Sequence, residues 1–62
     1  MNITITINTD NAAFENYAAG EVSHILAQLA RDVRDKDLRR DVDGLKLRDG
    51  NGNTVGKVEV SE

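Results

Sequence analysis

Glu21-Val22-Ser23-His24-Ile25-Leu26-Ala27-Gln28-Leu29-Ala30-Arg31-Asp32-Val33 is the stretch on which the fold turns. Val22, Ile25, Leu26, Leu29 and Val33 recur at i, i+3, i+4 and i+7. On a helical wheel they fall within about 100°, the width of a core-facing stripe. His24, Gln28, Arg31 and Asp35 fall on the opposite face. Glu21 stands in the first turn, where a negative charge suits the helix dipole. Gly20 is read as the break before this helix, and its end is set near 34–37, because Lys36 would enter the apolar stripe and Leu38 would leave it.

Toward the N-terminus the period changes to two. In Asn2-Ile3-Thr4-Ile5-Thr6-Ile7-Asn8 the isoleucines alternate with threonines, the pattern of a half-buried strand rich in β-branched residues. Thr9-Asp10-Asn11 ends it, and Asp and Asn also cap helices, so a short helical turn carrying Phe14 is expected within 12–17. Toward the C-terminus, residues 36–43 read as a charged connection with one helical turn pairing Leu38 and Val42.

Gly44 then opens a hairpin, in which Leu45 and Leu47 alternate with Lys46 and Arg48. Asp49-Gly50-Asn51-Gly52-Asn53 is dense in residues that tolerate positive φ. Val55 is out of phase with Val58 and Val60, and Gly56 marks the site of a bulge that restores the phase.

Strand, helix, strand, strand predicts an α+β fold, a two-layer β-α-β-β unit with a three-stranded antiparallel sheet in the order 2-3-1 and one main helix on one face. At 62 residues the chain is a single domain. The expected core is Ile3, Ile5, Ile7, Phe14, Val22, Ile25, Leu26, Leu29, Val33, Leu45, Leu47, Val58 and Val60; the open sheet face carries Thr4, Thr6, Lys46, Arg48, Lys57 and Glu59.

Composition narrows the function classes. The chain has 39% hydrophobic and 31% charged residues, a net charge of −3, no Cys and one His, so disulfides and cysteine-based zinc sites are excluded. A domain this small is marginal in stability, and self-association is one way to add to it. No apolar run approaches the ~20 residues of a membrane span, and no basic start precedes an apolar run, so no membrane association and a cytoplasmic location are expected.

The candidate chemistries are weak. Asp49-x-Asn51-x-Asn53 opens like a calcium loop, but Thr54 stands where that loop needs Gly and Val60 where it needs a bidentate Glu. Gly50, Gly52 and Gly56 miss the spacing of nucleotide-binding glycine loops. The acids of 32–43 alternate with Arg and Lys, with Arg31–Asp35 and Asp32–Lys36 spaced as i, i+4 pairs, a solvated face rather than a desolvated acid/base pair. His24 lies on the polar helix face with no triad partner at a suitable spacing. No cofactor or metal is expected, and the reading is non-enzymatic.

A protein-binding surface remains. A three-stranded sheet has two edges that accept a strand or a second copy, and Phe14 and Tyr17, the only aromatics, lie outside the regular elements. Nucleic-acid binding through Lys46, Arg48 and Lys57 is the second reading; no aromatic accompanies them for stacking. A structural homodimer is the third.

Thr9-Asp10-Asn11-Ala12-Ala13-Phe14-Glu15, the helix from Val22 to Leu29, and Asp49-Gly50-Asn51-Gly52-Asn53-Thr54-Val55-Gly56 together resemble small uncharacterised proteins of tailed phages and prophages, which share a TDNAAF-like start and a D-x-NGN-x-VG hairpin. The resemblance spans nearly the whole chain and transfers no catalytic residue. It implies a phage or host protein as partner, and an inhibitor of a host defence complex, anti-CRISPR-like, as one form of that function. In such a role Asp35, Asp37, Asp41 and Asp43 would face a nucleic-acid channel by charge complementarity, with Phe14 and Tyr17 as apolar anchors.

Overall fold

The computed structural model describes residues 1–62. Strand β1 is Asn2–Ile7; a 3₁₀ turn, Ala12–Phe14, follows; helix α1 is Ala18–Val33. A π-helical turn, Leu38–Val42, leads to β2, Lys46–Arg48, and β3, Thr54–Ser61. The sheet order is β1-β3-β2 with both pairings antiparallel, so the longest strand is central. This is the expected α+β fold and sheet order.

Registers explain the strand faces. Ile3 stands opposite Val60, Ile5 opposite Val58 and Ile7 opposite Gly56, while Thr4 faces Glu59 and Thr6 faces Lys57. On the other side Leu47 pairs with Gly56 but Arg48 with Thr54, so β3 spends one extra residue, Val55, at this point. That bulge next to Gly56 turns the out-of-phase Val55 into the core, where it is buried. Gly56 is required for a second reason. A Cβ there would lie 1.9 Å from the Thr6 carbonyl oxygen, so only glycine lets β1 and β3 close.

Two expectations about α1 are corrected. Gly20 does not break the segment; the helix begins at Ala18 and carries Gly20 in its first turn. Amides in that turn have no carbonyl partner within the helix, so a glycine there disturbs little of the ladder. A Cβ on Gly20 would meet the Tyr17 ring, 2.3 Å from Cδ2, so the bare backbone gives that ring its seat. Nor do the ion pairs Arg31–Asp35 and Asp32–Lys36 form, because the helix ends at Val33 and the chain leaves helical spacing. Gln28 instead donates to Asp32 at 3.3 Å and accepts from Arg31 at 2.9 Å.

The core is smaller than the apolar pattern suggests. Phe14, Ile25, Leu29, Val42, Leu47, Val55 and Val58 are its buried members. Helix α1 packs against β2 and the π turn against β3, which leaves the β1 side of the sheet with little cover. Ile3 and Ile5 are consequently 48% and 44% exposed, against the expectation that both are core. Leu26 is likewise 42% exposed, and Ile7, Val22, Val33, Leu45 and Val60 are only partly buried. Val42, expected only as part of a helical turn, is among the most deeply buried residues, 1% exposed.

Candidate functional site

The hairpin tip is the one place where a charged residue is buried. Asp49 is 6% exposed. Its Oδ1 accepts the backbone amides of Asn51 and Asn53, both at 2.9 Å, and its Oδ2 accepts Asn11 Nδ2 at 2.7 Å and Asn53 Nδ2 at 3.4 Å. Gly52, at φ +84°, closes the turn by donating to the Asp49 carbonyl at 3.0 Å. Burial opposes the Asp49 charge, but the hydrogen bonds from Asn53, Asn11 and Asn51 outweigh it, so the carboxyl lies below its ordinary 3.8. Next to this cluster the Gly50 amide donates to Glu21 Oε1 at 2.5 Å, tying the tip to the first turn of α1. The oxygens of Asp49 are thus committed to amide donors within the loop and at Asn11, an arrangement that holds a turn in shape.

A shallow groove of about 340 Å³ runs between α1 and β2. His24, Gln28 and Asp32 line it from the helix, and Lys46, Arg48 and Asp49 from the hairpin. It brings the single histidine into a groove with two cations, Lys46 and Arg48, and two carboxylates, Asp32 and Asp49.

The residues singled out from sequence fall into distinct surroundings. Phe14 is 4% exposed and packs in the core, so its ring is not offered to a partner. The expectation of Phe14 as an anchor is corrected by the 3₁₀ turn, which Asn11 caps by accepting the Ala13 amide at 2.9 Å and which points the ring inward. Tyr17 is 73% exposed at the N-cap of α1, with no capping bond from its side chain.

The acidic set divides in the same way. Asp37 caps the π turn, its Oδ1 accepting the Arg39 and Arg40 amides at 3.0 Å, and Asp41 accepts the Asp37 amide in return at 3.3 Å. Asp43 Oδ1 accepts the Val60 amide at 2.8 Å and so holds the connection to β3. Asp35 makes no hydrogen bond or ion pair within the chain and is exposed. Three of the four acids therefore hold local structure, a role that nothing in their spacing signalled beyond the helix-capping habit of Asp.

On the open sheet face Lys46 stands opposite Lys57, with Arg48 one pair further along. Lys57 lies 3.9 Å from Glu59, and Arg48 donates to Thr54 Oγ1 at 3.2 Å.

The surface that sequence reading missed is on β1. Ile3 and Ile5 sit on an edge strand and are nearly half exposed. The alternation that reads as a buried face is present; what a single sequence does not contain is how far α1 reaches across the sheet. No family model, curated protein or solved structure matches the chain. No helix is long and apolar enough to cross a membrane.

Proposed function

We propose that this chain is a small, non-enzymatic protein-interaction module. The observation that carries the reading is apolar side-chain surface left outside a minimal core. Only eight of 62 residues are buried, while Ile3, Ile5, Leu26 and Tyr17 stand exposed. Large apolar and aromatic side chains held on regular elements, and not covered by the chain's own packing, are what protein partners bury. Tyr17 suits an anchor, with an apolar ring and a hydroxyl that takes a partner when desolvated.

The resemblance to small phage and prophage proteins suggests the class of partner, a host or phage protein, with inhibition of a host defence complex as its most specific form. In that form Asp35, just past the C-terminal end of α1 and so at the opposite end of the helix from Tyr17, supplies an unpaired negative charge. Asp37, Asp41 and Asp43 contribute charge while also holding the chain.

The test is capture by the tagged chain from a bacterial lysate with and without nuclease, repeated with Tyr17→Ala. A stoichiometric protein that survives nuclease and is weakened by the substitution supports the reading. Recovery of nucleic acid alone overturns it in favour of a second reading, for which the Lys46–Lys57 juxtaposition speaks; steep salt dependence of that binding and its loss in Lys46→Ala then identify the sheet face.

A further inference from the structure

The two edges of the sheet differ in kind. The β2 edge is three residues long, carries Lys46 and Arg48, and pairs with β3 across a bulge. Short length, charge and irregularity are the devices that keep an edge from recruiting another strand. The β1 edge has none of them. It runs six residues, Asn2–Ile7, in unbroken register with β3, and contains no charged residue and no proline. Its outer backbone donors and acceptors form a straight row about 20 Å long. The same strand presents Ile3 and Ile5, each nearly half exposed, on the face that carries α1.

We propose that the occupant of this edge is the β1 strand of a second copy, paired antiparallel about a twofold axis. The inference rests on the reading of the exposed apolar surface as a contact surface and names what covers its β1 part. Three features favour a second copy over a strand of another protein. An antiparallel pair of identical strands is self-complementary, as a twofold interface requires. With a side-chain period of two, an in-phase register gathers four isoleucines on one face and keeps the threonines together on the other. The chain's net charge of −3 opposes self-association generally, yet its first nine residues contain no charged side chain, so β1 is where two copies meet with least repulsion. The product is a six-stranded sheet ordered β2-β3-β1-β1-β3-β2. Its only remaining edges are the two charged β2 strands, so assembly stops at two.

Sedimentation equilibrium from micromolar to millimolar concentration tests this with the wild-type chain, Ile5→Lys and Thr4→Lys. An in-phase register sets position 4 or position 5 opposite its own copy and the other on the neighbouring diagonal, so in either variant two lysines meet across the pair. Each substitution is expected to raise the dissociation constant several-fold, up to about fivefold where the lysines are directly opposed, while circular dichroism stays unchanged. Thr4→Lys keeps both isoleucines and points to the open face, so it decides the matter should Ile5→Lys fail to fold. A wild-type chain that is monomeric throughout, or a dimer indifferent to Thr4→Lys, overturns the inference. A monomer that still captures a protein through Tyr17 overturns the self-pairing and leaves the interaction-module reading standing. A β1-dependent dimer that captures nothing does the reverse.

Discussion

Asn11 donates from Nδ2 to Asp49 Oδ2 at 2.7 Å, joining residues 38 apart in sequence. The same Asn11 caps the 3₁₀ turn through its other side-chain atom, accepting the Ala13 amide at 2.9 Å. One side chain thus fixes the turn that buries Phe14 and the hairpin tip that follows β2. Asn11→Ala removes both bonds. The loss of a cap alone costs about 1 kcal/mol, and urea denaturation should show at least that, with the midpoint lowered and the slope unchanged. Asn11→Asp keeps the cap but sets a carboxylate against Asp49, and should be no better than alanine.

Asp49 gives the fold an acid-sensitive point. Its folded-state carboxyl lies below 3.8, so the unfolded chain takes up a proton more readily than the folded one. The stability it contributes is fully present above the ordinary carboxyl value and is lost as pH falls through the lower folded value. Comparing Asp49→Asn with the wild type from neutral pH down to about 3 should show a gap that narrows only at the acid end. A gap constant over that range contradicts the assignment.

The tip also protects a labile pair. Deamidation of Asn51 requires the Gly52 amide nitrogen to attack the Asn51 side-chain carbonyl, and that amide is engaged with the Asp49 carbonyl at 3.0 Å. Loosening the tip with Asp49→Ala should speed deamidation at Asn51, read by mass spectrometry of the peptide containing it.

Substitutions should rank by observed packing rather than by apolar pattern. Val42→Ala empties a site in the core and should cost about 2 kcal/mol, whereas Leu26→Ala, at a site 42% exposed, should cost less than about 1 kcal/mol. Gly56→Ala, whose Cβ would overlap the Thr6 carbonyl, forces β1 from β3 and should cost more than either. Thermal unfolding of the three variants checks the order.

Much of this was legible in the chain. The periods of two and 3.6, the Asn-Gly tip and the phase slip at Val55 are local signals, and the elements, sheet order and bulge follow from them. What was not legible depends on reach. Ile3 and Ile5 alternate as a core strand does, yet their cover depends on α1 sitting over β2 and the π turn over β3. Gly20 reads as a breaker in isolation and becomes part of a helix where the Tyr17 ring lies over it. The Asp49 cluster needs Asn11, which no spacing rule brings to it. Asp37 and Asp43 read as free surface charge, and each turned out to hold a backbone amide.

The most direct test of the account is residue-resolved amide hydrogen exchange of the wild-type chain, by NMR, at dilute and at concentrated protein. If β1 is the contact strand and a second copy its occupant, the outward-facing amides of residues 2–7 gain protection with concentration while those of β2 do not. Outward-facing β1 amides that exchange freely at both concentrations, in a chain that remains folded, contradict it.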